Sequence, residues 1–279
     1  MSGLFPFAGY RFLDRSDYVP LDAGAVLATL DELAGVFALE FLAECDSTNS
    51  RLMAAPPSDE GRVHVLATEL QTAGRGRRGR VWQSWPGASL SFSSLWRFAP
   101  GAPVPAGLSL VAGLAVAEAL EELGVEGVQL KWPNDVLVHG HKLAGILVEL
   151  SSGRGRTLAA VVGIGINLKL PAEARVEHSS GVTDLAACLA RPPTASRVLG
   201  VVLRHLHRLF RIYGTAGFGA LRGAWQQRNA FADLPVNILG ESSTLTGNCA
   251  GVDEDGALLL DTPEGVQRIL SGDVSLRLV

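Results

Sequence analysis

The spacing of apolar residues along the chain predicts three helices. The first begins after Asp22, a residue type that caps helix N-termini well, and ends near Gly35. The second, residues 108–123, is apolar on nearly all sides, so we expect it to be buried. The third, residues 196–213, carries one apolar stripe at helical spacing and ends at Gly214.

Short, largely apolar segments, of which residues 63–70 alternate well, predict strands in two groups. The first group includes an antiparallel meander and covers residues 38–43, 63–70, 89–96, 128–132, 135–138, 143–150 and 158–164. The second group has the short, closely spaced strands of a small β-barrel and covers residues 236–239, 244–252, 257–261, 266–270 and 274–278. The predicted fold class is therefore α+β, with a central mixed or antiparallel β-sheet, helices and a C-terminal barrel. We expect three regions, residues 1–37, 38–232 and 233–279: an N-terminal extension with one helix, a binding and catalytic domain, and the barrel.

Composition excludes several classes of protein. The chain has 279 residues, of which 47% are hydrophobic, and can bury a substantial core. Its longest apolar stretch, residues 108–120, is too short to cross a membrane, and the N-terminus lacks the pattern of a signal peptide. Three separated cysteines argue against a disulfide framework, and the neighbouring His139 and His141 have no third metal ligand in reach along the chain. We therefore expect a cytoplasmic protein that does not bind membranes.

The segment from Gln71 to Trp82 carries the strongest chemical signal. It contains four arginines and three glycines, and no Asp or Glu occurs between Leu70 and Ala117, so nothing nearby along the chain neutralises its charge. Glycine lets backbone amides approach a ligand closely, and arginine suits phosphate and carboxylate oxygens. This segment, which we call the arginine loop (residues 71–82), therefore predicts an anion clamp.

Three other interpretations compete with the anion clamp. Gly74, Gly76 and Gly79 match the dinucleotide-binding fingerprint, but turn and strand residues follow where a helix should begin, and the acid that binds ribose is missing. A nucleic-acid patch is disfavoured because the net charge of the chain is −4 and the basic residues cluster in this loop. A solvated surface loop stays open.

Three further segments place polar groups at or near strand ends. Residues 131–135 interrupt a strand with Pro133, which marks a bulge, a bend or a simple polar turn. Lys142 begins a strand, either as an edge-strand gatekeeper or as an ammonium aimed at an anion. Residues 163–167 end a buried strand with glycines that permit close approach or form a β-bulge. The sequence offers no nucleophile–base triad, so we expect cations and amides that stabilise charge on phosphate oxygens, as in activation of a carboxylate by a nucleotide.

Together these segments resemble the biotin–protein ligase family. The match keeps the family's order and similar spacings over residues 47–49, 71–82, 131–135, 142–149, 163–167, 256–260 and 271–277. The resemblance implies the catalytic fold of biotin and lipoate ligases, which is like that of class II aminoacyl-tRNA synthetases, plus a small Src-homology-3-like barrel. It also implies a two-step enzyme, in which biotin and Mg-ATP give biotinyl-5′-adenylate and the biotinyl group then passes to one lysine of a biotin carboxyl carrier protein.

The resemblance implies a role for each matching residue. Catalytic roles would fall on Lys142, Arg75, Arg77 and Asp135. Biotin would contact Ser47, Thr48, Asn49, Gln71, Arg75, Gly76, Arg77, Lys142 and Gly145. ATP and the adenylate would contact Arg77, Arg80, Trp82, Lys131, Asn134, Asn167 and Arg277. No metal would be held by the protein alone; Mg²⁺ would arrive with ATP near Asp135, whose role as proton acceptor, orienting group or metal contact stays open.

Two departures from the family pattern shape further expectations. Members that repress transcription carry a winged helix-turn-helix before the segment matching residues 47–49. Here 46 residues precede Ser47, and residues 9–13 resemble only the last strand of such a domain, so we expect no sequence-specific DNA binding. Some relatives stack a tryptophan on adenine; residues 178–185 contain none, and Gly181 or Val182 lies nearest that position.

Two alternative functions stay open beside the biotin ligase. One is a lipoate or octanoate ligase on the same fold, and the other is a regulator that depends on biotinyl-adenylate. A homodimer formed by strand pairing in the central domain is implied by the resemblance alone.

Overall fold

A seven-stranded mixed β-sheet forms the centre of the fold. The computed structural model describes residues 18–98, 105–152, 158–172, 174, 181–240, 244–270 and 275–278. Strands β1 to β7 of this sheet are Phe37–Cys45, Val63–Gln71, Ser89–Arg97, Val128–Lys131, Asp135–Val138, His141–Ser152 and Leu158–Asn167. The predicted central sheet is confirmed.

The sheet is mixed because its first two strands run in parallel. Its strand order is β1-β2-β3-β7-β6-β5-β4. Strands β1 and β2 are parallel, whereas every other neighbouring pair is antiparallel. A parallel pair needs a crossover connection, and the helix Thr48–Ala54 lies in that connection. Strands β4 to β7 are sequential neighbours, as the predicted meander requires.

Six α-helices lie within the described residues. In chain order α1 to α6 are Ala23–Leu30, Thr48–Ala54, Leu108–Glu122, Leu185–Cys188, Ala195–Ala216 and Gly219–Gln226. Helix α3 packs on β4 to β6 and is buried on nearly all sides, as predicted, while α5 packs against α3 and α1. Asp22 caps α1 by accepting a hydrogen bond from the Ala25 amide at 2.6 Å. None of the described helices is long and apolar enough to cross a membrane.

The prediction that Gly214 ends the long helix is wrong. Helix α5 continues through Gly214 to Ala216, and Gly217, with a φ of 69°, forms its C-terminal cap. Glycine inside a helix costs about 1 kcal/mol relative to alanine, which tertiary packing overrides here. The left-handed cap conformation is the position that favours glycine.

Strand β7 is longer than the predicted residues 158–164, and the alternative of a β-bulge at residues 163–167 is wrong. Strand β7 runs through Asn167, and both glycines of this segment stay in register with the strands on either side. Gly163 pairs with Ser93 on β3, and Gly165 pairs with Gly145 on β6. The glycines therefore remove side chains from the middle of the sheet, which leaves room above it.

Five short strands form a second sheet at the C-terminus. Strands β8 to β12 are Pro235–Leu239, Thr244–Val252, Leu258–Thr262, Gly265–Ile269 and Ser275–Leu278. They are antiparallel in the order β11-β10-β9-β8-β12, which confirms the C-terminal antiparallel sheet. Closure into a barrel stays a prediction, since residues 271–274 lie outside the described ranges. The indole nitrogen of Trp132 donates to the Gly256 carbonyl at 3.1 Å and joins this sheet to the central one.

Candidate active site

One pocket brings together all the residues predicted to act in catalysis or to contact biotin or ATP. Its floor is the central sheet, its roof is the arginine loop, and strand β12 closes one side. The predicted site residues that line it are Ser47, Thr48, Asn49, Gln71, Arg75, Gly76, Arg77, Arg80, Trp82, Lys131, Asn134, Asp135, Lys142, Gly145, Asn167 and Arg277. Among the lining residues that the structure describes, seven are arginine or lysine and one is a carboxylate, so the pocket suits anions.

The arginine loop is held in a tight hairpin. The Trp82 amide donates to the Gly74 carbonyl at 2.9 Å, and the Gly76 amide donates to the Arg80 carbonyl at 2.7 Å. A Cβ at position 74 would lie 2.3 Å from the Trp82 carbonyl oxygen. Gly74 is therefore required by the close approach of the two arms of the hairpin. Residues 77–79 form the turn, in which Arg78 adopts a left-handed φ of 58°.

Trp82 packs directly against a glycine of the central sheet. A Cβ at Gly165 would lie 2.3 Å from two carbons of the indole ring. The indole nitrogen donates to the hydroxyl of Ser91 on β3 at 3.1 Å. The glycines of β7 therefore create the seat for Trp82, which fixes the end of the arginine loop on the pocket floor.

The expectation that no acid neutralises the arginine loop is wrong, because an acid distant along the chain lies beside the loop in the fold. Arg75 forms an ion pair with Glu149 of β6, with Nη2 and Oε1 separated by 2.5 Å. Its other terminal nitrogen donates to the Ser50 hydroxyl on α2 at 3.0 Å. Arg75 therefore anchors the loop to two elements.

Helix α2 points its first turn into the pocket. Ser47 caps the helix by accepting from the Ser50 amide at 3.4 Å. The Thr48 amide donates to the Gln71 side-chain oxygen at 2.8 Å, and the Thr48 hydroxyl lies 2.6 Å from the hydroxyl of Ser93. Asn49 is 3% exposed, and its side-chain nitrogen donates to the Leu147 carbonyl at 3.2 Å. These contacts build a buried polar wall.

Lys142 and Asp135 form the ion pair nearest the centre of the pocket. The Lys142 Nζ lies 2.7 Å from an oxygen of Asp135, and both side chains are largely buried. Gly145 leaves room for this lysine, since a Cβ there would lie 3.1 Å from Nζ. The Lys142 ammonium therefore points into the pocket, and this residue is not an exposed edge-strand gatekeeper.

Lys131 and Arg277 both lie close enough to Asp135 for its negative charge to favour their protonated forms. Burial, together with the nearby charges of Arg277, Lys142 and Arg80, lowers the pKa of Lys131 to about 8, although Asp135 opposes the shift. Burial also lowers the pKa of Arg277, with Arg80 and Arg78 acting in the same direction. The neighbouring cations thus disfavour one another's charged forms. A bound anion would relieve this repulsion, so the shifts are typical of an anion-binding site.

Two asparagines brace the remaining walls. Asn134 donates to the Ile146 carbonyl at 3.1 Å and accepts from Arg77 at 3.4 Å. Asn167 is buried and donates to the Thr183 carbonyl at 2.9 Å, which ties β7 to the segment after residue 180. Both therefore hold the pocket's shape as well as facing it.

Sequence reasoning missed several contributors to the site. Ser91 and Ser93 supply hydroxyls from β3, and Glu149 supplies the partner of Arg75. Serine at every second position from Ser89 to Ser93 in a buried strand is a signal that could have predicted a polar face. Val182 lines the pocket beside Lys142, with which it forms a parallel bridge, whereas residues 178–180 lie outside the described part of the chain.

The metal-binding potential of the site is limited to one carboxylate. Within the described ranges, no group of three or more His, Cys, Asp or Glu side chains is placed to hold a metal ion. Asp135 is already paired with Lys142 and lies near Lys131. A cation here would need most of its ligands from a bound molecule or from water.

Comparisons with known proteins agree along most of the chain. Residues 45–167 match the biotin/lipoate A/B protein ligase family, and residues 235–277 match the biotin protein ligase C-terminal domain. The biotin–[acetyl-CoA-carboxylase] ligase of Paracoccus denitrificans is 38% identical over 240 residues, which cover 84% of this chain and 98% of that protein. The bifunctional ligase/repressor BirA of Escherichia coli is 35% identical over 260 residues, which cover 92% of this chain and 78% of that protein.

The fold agrees with a solved structure as well. The biotin protein ligase of Aquifex aeolicus in complex with biotin and ATP superposes with a TM-score of 0.74 at 36% identity. The match covers 86% of this chain and 99% of that chain.

Proposed function

The chain belongs to the biotin protein ligase family, and we propose on that premise that it activates biotin with ATP and transfers the biotinyl group to a carrier-protein lysine. The observation that carries the proposal is this pocket, whose described lining residues include seven cationic side chains and one carboxylate. A carboxylate and a triphosphate repel each other, and fixed cations offset this repulsion as the two anions meet. The product of the first step is biotinyl-5′-adenylate.

The polar wall of helix α2 suits the uncharged head of biotin. We propose that Ser47, Thr48 and Gln71 hold the ureido group, with the backbone at Gly145 lining the pocket. Asn49 has its amide engaged by the protein, so we propose that it shapes this wall. Arg75, Gly76 and Arg77 would lie over the rest of the molecule as part of the arginine loop.

The cationic end of the pocket suits the nucleotide. We propose that Lys142 neutralises the biotin carboxylate and the α-phosphate as a carboxylate oxygen attacks phosphorus and the bond to pyrophosphate breaks. The other groups proposed to face ATP or the adenylate are Arg77, Arg80, Trp82, Lys131, Asn134, Asn167 and Arg277. Val182 supplies an apolar surface beside Lys142 where some relatives place a tryptophan on adenine.

The second step moves the acyl group to an amine. The lysine of the carrier attacks the acyl carbon, the bond to the AMP oxygen breaks, and the amine gives up a proton. Asp135 lies in the pocket, where its carboxylate would accept that proton or orient the attacking amine. The arginine loop covers the mixed anhydride and keeps water from hydrolysing it.

Mg²⁺ fits this pocket only as a companion of ATP. Magnesium is commonly bound through one or two carboxylates, substrate phosphates and water. Asp135 is the lining carboxylate that would face such an ion, which would shield the charge of the phosphates. The residues described here therefore fit a metal that enters with the nucleotide.

Several wider expectations stay predictions. These are a biotin carboxyl carrier protein as acceptor, a homodimer, a cytoplasmic location and the lack of sequence-specific DNA binding. Residues 9–13, on which part of the last expectation rests, lie outside the described ranges. We also propose the division into an N-terminal extension (1–37), a biotin- and ATP-binding catalytic domain (38–232) and a C-terminal domain (233–279).

The pKa of Lys131 predicts how ATP use depends on pH. Below pH about 8 this side chain is an ammonium, and above it the neutral amine prevails, so an attraction for phosphate is lost as pH rises. We expect kcat/KM for ATP to fall above pH 8 in the wild type and to stay level to pH 9.5 in Lys131→Arg, because arginine keeps its charge. Steady-state rates between pH 6.5 and 9.5 measure this. Parallel profiles for the two proteins would contradict the assignment.

Biotin and lipoate binding separate the proposal from its main alternative. The family model spans both biotin and lipoate ligases, whereas the curated relatives compared above are named for biotin or as BirA. Biotin should raise the melting temperature of the protein by mass action, and lipoate at the same concentration should not. Equal or larger stabilisation by lipoate would favour a lipoate ligase.

A further inference from the structure

Glu149 divides its two carboxylate oxygens between two parts of the proposed biotin site. One oxygen accepts from Arg75 of the arginine loop at 2.5 Å, and the other accepts from the side-chain nitrogen of Asn49 on α2 at 2.9 Å. The Glu149 side chain is 22% exposed, so water screens these bonds only in part. Glu149 thus joins the roof of the pocket to its polar wall.

The hydrogen bonds continue from Asn49 into the wall without a break. The Asn49 oxygen accepts from the Ser93 hydroxyl at 2.5 Å, and that hydroxyl lies 2.6 Å from the hydroxyl of Thr48. The Thr48 amide donates to the Gln71 side chain at 2.8 Å. Ser93, Thr48 and Asn49 are all 3% exposed or less. We call this set the relay, and it runs Arg75, Glu149, Asn49, Ser93, Thr48, Gln71.

The position of Asn49 is fixed by the neighbouring strand. A Cβ at Gly163 would lie 2.1 Å from the Asn49 side-chain oxygen, so β7 provides a seat for this amide. The Asn49 nitrogen also donates to the Leu147 carbonyl at 3.2 Å. An amide held in this way cannot rotate to adapt to a change at Glu149, and it transmits that change to Ser93.

We propose that Glu149 is a positioning residue that couples the closed arginine loop to the groups holding the biotin head. The inference rests on the proposed function. The Glu149 carboxylate contacts Arg75 of the arginine loop and Asn49 of the polar wall. A movement of the loop therefore changes the position of the wall, and the reverse also holds. Loss of the coupling should weaken biotin binding more than ATP binding, because the relay ends at Thr48 and Gln71 and does not include Lys131 or Arg277.

Glu149→Gln tests the coupling with little change in shape. Both partners of Glu149 donate hydrogen bonds, and a glutamine has one accepting oxygen, so one of the two contacts must fail. We expect KM for biotin to rise about tenfold, which corresponds to the free energy of one charge-assisted hydrogen bond. KM for ATP should change by less than about twofold. With biotin bound, tryptic cleavage within residues 75–80, followed by mass spectrometry, should also become about tenfold faster.

Two further variants make the test specific. Ser93→Ala breaks the relay without touching the loop, and it should also speed cleavage within residues 75–80. Asp46→Asn is the matched control, since it removes an exposed ion pair to Arg51 on the same helix and should leave all these values unchanged.

The outcomes separate the coupling from the function. Wild-type constants in Glu149→Gln, an equal rise in both KM values, or unchanged cleavage in Ser93→Ala would each overturn the coupling. A wild-type protein that cannot use biotin and ATP at all would instead overturn the proposed function.

Discussion

Lys142→Ala is expected to slow biotinyl-adenylate formation by about 100- to 1,000-fold, the usual loss when a preorganised charge-stabilising group is removed. The Nζ of Lys142 is largely buried and lies 2.7 Å from Asp135 in the pocket where the two anions must meet. Without the ammonium, the carboxylate of biotin would approach the α-phosphate with one cation fewer to offset the negative charges of both groups and of Asp135. Biotin-dependent exchange of labelled pyrophosphate into ATP measures this step directly.

A second lysine provides the control for this prediction. Lys169 is exposed, follows strand β7 and does not line the pocket, so Lys169→Ala should keep the wild-type exchange rate. Lys142→Arg should recover part of the rate, because it restores the charge in a longer side chain. If Lys142→Ala exchanged pyrophosphate as fast as the wild type, the placement of the reacting atoms would be wrong.

Gly165→Ala is expected to raise the dissociation constant for biotin by about 10- to 100-fold, because overpacking costs roughly 1–3 kcal/mol. The added methyl group would lie 2.3 Å from the indole of Trp82. The ring must leave its seat, lose its bond to Ser91 and move into the pocket together with the end of the arginine loop. Isothermal titration with biotin measures the affinity.

Gly214→Ala is the matched control, since it makes the same change far from the pocket. Nothing lies within 4 Å of a Cβ at Gly214, and alanine favours the helix interior. This variant should bind biotin like the wild type. Unchanged biotin affinity in Gly165→Ala would show that biotin binding does not require Trp82 to pack against Gly165.

Local patterns were enough to predict much of the fold. Alternation along residues 63–70 located strand β2, and the apolar run at residues 158–164 located most of β7. Asp22 was recognised as a helix cap from residue type and position, and it accepts a hydrogen bond from the first turn of α1. These features depend on neighbours within a few residues.

Long-range contacts explain what could not be predicted. Arg75 is neutralised by Glu149, which lies 74 residues further along the chain, so the local absence of acids said nothing about its partner. Strand β7 continues past its predicted end at residue 164, and Gly163 and Gly165 lie in register within it, where their absent side chains make room for Asn49 and Trp82. Gly214 shows the same limit, because packing carried α5 past a residue that often ends helices.

In the proposed reaction this pocket joins biotin to the AMP part of ATP, releases pyrophosphate, and then transfers the biotinyl group to a protein lysine. The most direct test incubates the protein with labelled biotin, Mg-ATP and an apo biotin carboxyl carrier domain, and then locates the label by mass spectrometry. We predict one biotinyl group on one lysine of the carrier, with one AMP released for each, and no label when ATP is omitted. A carrier that stays unlabelled, or a label that forms without ATP, would contradict the account.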